Sequence, residues 1–234
     1  MKTAHIVVPV ADIYKDYTFT SEVVTQGLQS EEVIILDTHN NWIKIEQWDG
    51  YKGWINHFYL GAISDKGKSY RPFEHNFHMP IKGFASWWSR SFSDSFALRE
   101  GVVNDCMKFL GVPYKWGGKS PFGFDCSGLV QTAFKMNGIS MPRDSKDQYG
   151  LVKNNKIMPL EYAKPGDLLF FKENGKICHV GIYDDNFHFI HCSGMVKRNS
   201  LNEEDEDDDL FDKKLMDKFA GIFSISEIIK EQCK

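Results

Sequence analysis

The chain has 234 residues, a formal net charge of −4 and a pI of about 6.1. That length allows one large domain or two small ones with real cores, and the mild acidity gives no electrostatic case for nucleic acid as a partner. The five cysteines (106, 126, 178, 192 and 233) form no Cys-x-x-Cys pair, which argues against a structural zinc site and against a dense disulfide framework.

Residues 1–65 read as a small all-β domain with short strands at 6–9, 33–37, 42–47 and 53–58. The apolar stretch 6–11 is broken by Pro9 and ended by Asp12, too short for a signal-peptide core or a membrane span. No other long uncharged apolar segment exists, so the expectation is a cytoplasmic protein with reduced thiols and no membrane contact. Trp42-Ile-Lys-Ile-Glu alternates apolar and polar residues, as a half-buried strand does. His39-Asn-Asn before it and Asp49-Gly50 after it supply turn chemistry. Residues 66–95 mix charge, aromatics and proline around Trp87-Trp88, and read as a connector laid across a domain surface.

The pattern changes at Phe96, and 96–234 reads as a second domain of α+β class. Val102, Val103, Met107, Phe109 and Leu110 fit a helix ended by Gly111 and Pro113. A second helix begins at or near Cys126, buries Leu129, Val130, Ala133 and Phe134, and is stopped by Gly138. After Pro165-Gly-Asp167 come strand-like runs at 168–171, 177–183 and 187–191, with Asp184-Asp-Asn186 as the last turn. A hairpin centred on residue 185 pairs 183 with 187, 181 with 189 and 179 with 191. His179 and His191 then share one face, with Cys178 and Cys192 on the other. Residues 203–209 read as a solvated acidic loop, with a cation site as the alternative.

Three residues carry chemistry in this pattern. Cys126 opens a helix, where the partial positive charge favours a thiolate, the nucleophilic form. His179 supplies the base and could hold the thiolate as an ion pair; His191 orients it and fixes its tautomer. Backbone N–H groups at the helix start could hold the oxyanion. The same three residues could ligate zinc, but nothing suggests a second-shell acid. Trp116-Gly-Gly-Lys-Ser120 fails as a phosphate loop, because Pro113 stands where that pattern needs glycine. The other cysteines read as inert.

Tyr114-Lys-Trp-Gly-Gly, Gly123-Phe-Asp-Cys-Ser-Gly-Leu-Val130, Pro142-Arg-Asp-Ser145, Pro165-Gly-Asp-Leu168 and His179-Val-Gly-Ile-Tyr183 resemble, in order and spacing, the motif set of the NlpC/P60 family. Those are papain-like cysteine peptidases of bacterial cell-wall peptides, and the resemblance spans roughly residues 98–195. Asp49-Gly-Tyr-Lys-Gly-Trp54 resembles a bacterial SH3 domain. The pair resembles the γ-D-glutamyl-L-diamino acid endopeptidases that process free muropeptides.

The resemblance implies helices packed on an antiparallel sheet, preceded by a small all-β barrel, with no metal or cofactor. The implied substrate is L-Ala-γ-D-Glu-diamino acid, cut before the diamino acid during wall-peptide recycling. The barrel closes one end of the cleft, so that only a free N-terminal L-alanine fits. Tyr51 and Asp144 match residues that hold its amine, and Ser127 and Ser145 match positions that touch the γ-D-glutamyl unit. One position departs: Val24 stands where an acidic barrel residue aligns, with Glu22 two residues away. The physics of such a pocket is independent of family, since a buried ammonium needs a carboxylate partner. Two other functions fit the residues: a broader thiol amidase or acyltransferase of the same fold, and a catalytically inert wall-peptide binding module.

Overall fold

The computed structural model describes residues 1–65, 95–205 and 211–232. The first segment forms β1 (Lys2–His5), β2 (Val10–Tyr14), β3 (Val23–Leu28), β4 (Glu32–His39), β5 (Trp42–Glu46), β6 (Lys52–Asn56) and β7 (Ser64–Asp65). These strands hydrogen-bond in the order β3-β2-β6-β5-β4-β1-β7. Ile43 and Ile45 enter the core of this sheet beside Ile13, Val33 and Ile55, while Lys44 and Glu46 stay partly exposed, as the alternation requires. Trp42 is covered on the opposite side, its ring 4.7 Å from Phe19 and 5.5 Å from Tyr14. The strand expected at 6–9 does not form. Pro9 has no N–H to give a ladder, so the chain breaks between β1 and β2, and Ile6 keeps an isolated bridge to Leu60. The expected connector, with Trp87 and Trp88, lies outside the described residues, except Ser95.

The remaining segments form α1 (Ser95–Met107), β8 (Lys119–Ser120), β9 (Gly123–Phe124), α2 (Cys126–Met136), α3 (Ser145–Val152), β10 (Leu168–Glu173), β11 (Lys176–Tyr183), β12 (His188–Ser193), β13 (Met195–Ser200), α4 (Lys213–Met216), β14 (Phe219–Phe223) and α5 (Ser226–Gln232). The main sheet is antiparallel, in the order β13-β12-β11-β10-β14. Alternate residues of β10 feed two cores. Leu168 and Phe170 join Val102, Leu129, Val130 and Phe134 from α1 and α2, whereas Leu169 and Phe171 join Tyr183, Phe189 and Ile222 behind the sheet. Each such fully buried side chain contributes about 1.5–3 kcal/mol by leaving water. The helical layer therefore fixes α2 rigidly against β11 and β12, the strands that carry the histidines.

Two sequence expectations are corrected here. The first helix ends at Met107 rather than running to Gly111, leaving Met107 and Leu110 exposed. The reason is competition for the backbone: residues 111–114 pair with β13, Gly111 N–H donating to Val196 at 2.9 Å and Tyr114 N–H to Gly194 at 2.9 Å. The hairpin register also differs. Gly181 faces His191, Ile182 faces Ile190 and Tyr183 faces Phe189, so the hairpin is centred on residue 186. Asn186 and Phe187 both take left-handed conformations (φ 43° and 64°), which lengthens the turn. The slip changes the partner by two residues and keeps the parity, so both histidines stay on one face, now as diagonal neighbours. By contrast α2 ends as expected: Gly138 has φ 79°, and Ile139 N–H reaches back to Phe134 at 3.0 Å.

Candidate active site

Asp125 organises the start of α2. It is the N-cap: Oδ1 accepts from Gly128 N–H at 2.7 Å and Oδ2 from Gly117 N–H at 2.9 Å. The buried Arg143 guanidinium grips both oxygens, at 3.0 and 2.6 Å, and donates onward to Ser127 Oγ at 3.0 Å and Thr25 Oγ1 at 3.1 Å. Cys126 is thereby held at the head of the helix. The glycine of Asp-Cys-Ser-Gly is required, because a Cβ on Gly128 would collide with the Gly118 carbonyl oxygen. Gly117 is likewise needed: its φ is 75°, and a Cβ there would sit 2.7 Å from the Val23 carbonyl of β3.

The histidines come from the facing sheet. His179 Nε2 lies 2.7 Å from His191 Nδ1, and His191 Nε2 lies 2.7 Å from Asn199 Oδ1 on β13. His191 is fully buried and Asn199 nearly so. His179 and Cys126 line the same cavity, while His191 sits behind His179 and does not reach it.

Burial opposes the thiolate that a helix N-terminus favours. Burial, reinforced by the Asp125 carboxylate, pushes the Cys126 thiol up to about 11, although the backbone N–H groups of Val180 and Ser127 and the Arg143 charge pull the other way. Burial, then His191, Lys197 and Lys218, bring His179 down to about 3. Burial thus favours the neutral forms of the Cys126 thiol and the His179 imidazole, which line one cavity. The sign gives a test: alkylation of Cys126 by iodoacetamide should climb with pH and still be rising at the ordinary thiol value of 9.0. A plateau reached on the acid side of neutrality would instead reveal a thiolate–imidazolium pair.

The cavity has a volume of about 720 Å³ and contains, besides Cys126 and His179, the sequence-predicted Tyr51, Ser127, Asp144 and Ser145. Burial and then the Asp144 carboxylate raise the Tyr51 phenol to about 12. Asp144 occupies the N-cap position of α3 but makes no capping hydrogen bond, which leaves its carboxylate to the cavity. Glu22 and Val24 line the cavity too, so the β2–β3 loop brings an acid to the place where the aligned position has valine. Glu22 accepts from Trp116 Nε1 at 3.1 Å.

Further bonds hold the β-domain against this cleft. Lys115 Nζ meets Asp12 at 2.7 Å, Gln131 Nε2 meets Asp49 at 2.7 Å and Lys135 Nζ meets Glu31 at 2.9 Å. Sequence reasoning named Glu22 only as a neighbour of Val24, and did not single out Asn199 or Tyr114; Tyr114 lines the cavity with Cys126, and its phenol is raised to about 12 by burial and then Cys126. Two larger cavities, of about 760 and 910 Å³, contain neither Cys126 nor His179.

A cysteine at a helix head, sharing a cavity with a histidine that a second histidine backs on an antiparallel sheet, and roofed by an all-β domain, defines a two-domain thiol–imidazole protein. In the family comparisons, residues 111–216 match the NlpC/P60 family and residues 13–60 match the bacterial SH3 domain. It is 50% identical over 95 residues to a gamma-D-glutamyl-L-lysine dipeptidyl-peptidase of Bacillus subtilis, covering 39% of this chain and 31% of that one. A Bacillus cereus protein of the same name is 26% identical over 230 residues, covering 74% and 68%. A crystal structure of an NlpC/P60 family protein from Bacillus cereus overlays with a TM-score of 0.47 at 23% identity, covering 94% of this chain and 62% of the other. The chain thus spans about a third of the Bacillus subtilis relative and about two thirds of the Bacillus cereus one. Among the described residues no helix is long and apolar enough to cross a membrane.

Proposed function

We propose that this protein is a cysteine peptidase that hydrolyses the bond between γ-D-glutamate and the following diamino acid in wall-derived peptides with a free N-terminal L-alanine. The observation that carries this reading is the meeting of two groups of residues in one cavity. Cys126 and His179 supply the chemistry, and Tyr51, Asp144 and Glu22 supply two carboxylates and a phenol suited to an ammonium. A dipeptidyl-peptidase, as the relatives are named, must read an N-terminus two residues from the bond it cuts, and the presence of both groups in one cavity supports that reading. Ser127 and Ser145 also line this cavity and in this reading contact the γ-D-glutamyl unit.

The chemistry follows the neutral pair. Cys126 Sγ attacks the γ-carbonyl carbon as its proton passes to His179 Nδ1, the ring nitrogen not engaged by His191. The carbonyl π electrons move onto oxygen, and backbone N–H groups at the head of α2 hold that oxyanion. As the oxyanion collapses, the C–N bond breaks and Nδ1–H gives its proton to the leaving amine. Water, deprotonated by the same nitrogen, then cleaves the thioester and restores the thiol.

A longer or N-acylated peptide would bury Asp144 opposite an uncharged amide. Loss of a charged partner at such a site costs about 2–5 kcal/mol, enough to spare intact wall, where that alanine is acylated. This selectivity fits recycling of released fragments, a role that we place in the cytoplasm. The test is mass-spectrometric cleavage of L-Ala-γ-D-Glu-diaminopimelate and its L-lysine counterpart, each beside its N-acetylated twin. The free-amine peptides should be cut at least about 30-fold faster, the lower end of that range. Asp144→Asn should narrow the gap. Equal cleavage of the twins overturns the amine pocket, and no cleavage of any of them overturns the peptidase.

A further inference from the structure

We propose that Asn199 is a positioning residue that sets the ring tautomers of His191 and His179, and so makes His179 Nδ1 the base for Cys126. The inference rests on the thiol-peptidase reading above. An amide oxygen can only accept, and Asn199 Oδ1 lies 2.7 Å from His191 Nε2, so that nitrogen carries the hydrogen. In a neutral ring the other nitrogen, Nδ1, is then a lone pair. It accepts from His179 Nε2–H, also at 2.7 Å, which leaves the lone pair of His179 on Nδ1. Were the amide nitrogen turned toward His191, every hydrogen would move one place along the chain. His179 Nδ1 would then carry a hydrogen and could not take one from sulfur. A carboxamide hydrogen-bonded directly to the second histidine therefore decides whether the first can act as a base.

The surroundings make this orientation matter. Three elements contribute: His179 from β11, His191 from β12 and Asn199 from β13, with His191 and Asn199 out of contact with water. The charges facing the rings are Lys197 on β13, felt by both, Lys218 before β14, felt by His179, and Asp212 before α4, felt by His191. Cys126 itself faces Asp125 and Arg143. The lysines oppose a resting imidazolium, and burial does so more strongly, bringing His191 down to about 4. With both rings neutral, the placement of the hydrogens rather than a charge defines the base.

The experiment uses the full chain labelled with ¹⁵N-histidine, together with steady-state hydrolysis of L-Ala-γ-D-Glu-diaminopimelate. Two variants separate acceptor from shape: Asn199→Leu, of similar size without an acceptor, and Asn199→Asp, which keeps the accepting oxygen. In the wild type both rings should show Nε2–H and a bare Nδ1. Asn199→Leu should lose that signature and lower kcat by about tenfold or more with KM unchanged, because a wrong tautomer costs about 10⁴-fold in a serine-protease triad. Asn199→Asp should keep the signature and most of kcat, while its carboxylate favours the imidazolium and moves the acid limb of the kcat profile to higher pH.

A wild-type spectrum with hydrogen on His179 Nδ1 would overturn the proposal. So would an Asn199→Leu enzyme with unchanged kcat, or an Asn199→Asp enzyme that falls as far as Asn199→Leu, which would mark mere structural support. Should Asn199→Leu fail to fold, the Asn199→Asp spectrum and pH limb decide alone. The spectra need no substrate, so a failed peptide assay removes the peptidase reading without deciding the tautomer.

Discussion

Replacing Cys126 by alanine should abolish hydrolysis of L-Ala-γ-D-Glu-diaminopimelate, lowering kcat by at least about 10⁴-fold, since loss of a covalent nucleophile removes the whole two-step route. The protein should remain folded. Cys126 packs at the edge of the core without anchoring it, and the head of α2 is held by Asp125 rather than by the thiol. Its melting temperature should therefore stay within a few degrees of the wild type, a change of about 1 kcal/mol or less. Cys126→Ser sharpens the test: a hydroxyl beside the same imidazole keeps the shape but is a far weaker nucleophile toward the amide in a site built for sulfur. Excess chelator should leave the wild-type rate untouched. An alanine variant within tenfold of wild type, or a rate that depends on added zinc, would end the thiol mechanism; an unfolded alanine variant would show that the head of α2 depends on the thiol as well as on Asp125.

The legible parts of this molecule were those that local chemistry dictates. The start of α2 could be read because glycines and a small polar residue before an apolar run specify a helix head without reference to the rest of the chain, whereas the capping role of Asp125 is visible only in the structure. The shared face of His179 and His191 could be read because strand parity survives a change of register by two. The register itself could not, because it depended on Asn186 and Phe187 adopting left-handed conformations, and phenylalanine gives no signal for that. Asn199 was hidden for a different reason. It sits on β13, whose sequence Met195–Ser200 shows no clean alternation and whose place is set by pairing with β12 and with residues 111–114. Glu22 could be named only as a neighbour of Val24, because alignment by position puts valine at the acid's place, whereas the loop between β2 and β3 carries Glu22 to the cavity by its path through space. Arg143 stands in the Pro142-Arg-Asp-Ser145 motif, but its direction is not legible there: it turns inward to Asp125 while its neighbour Asp144 lines the cavity.

That inward turn makes Arg143 the residue whose loss should cost the fold most. Arg143→Leu should destabilise the protein by about 3–5 kcal/mol, the usual penalty for stripping one partner from a buried ion pair, and lower its melting temperature by about 10 °C. The cost is concentrated because one guanidinium serves both oxygens of Asp125, Ser127 Oγ and Thr25 Oγ1, and so joins the helix head to β3 of the SH3 domain. Activity should fall further than stability explains. Asp125 raises the Cys126 thiol and Arg143 lowers it, so the variant leaves an unbalanced carboxylate beside the nucleophile and drives the thiol still higher. Arg143→Lys should rescue little, because an ammonium cannot grip two carboxylate oxygens and two hydroxyls in one plane. Asp125→Asn added to Arg143→Leu separates the causes. Removing the orphaned charge should restore part of the melting temperature, while kcat stays low because the link to Ser127 and Thr25 is still missing. Strictly additive losses in the double variant would show that the two side chains do not act as a pair, and that the head of α2 is held by something other than the Arg143–Asp125 bond.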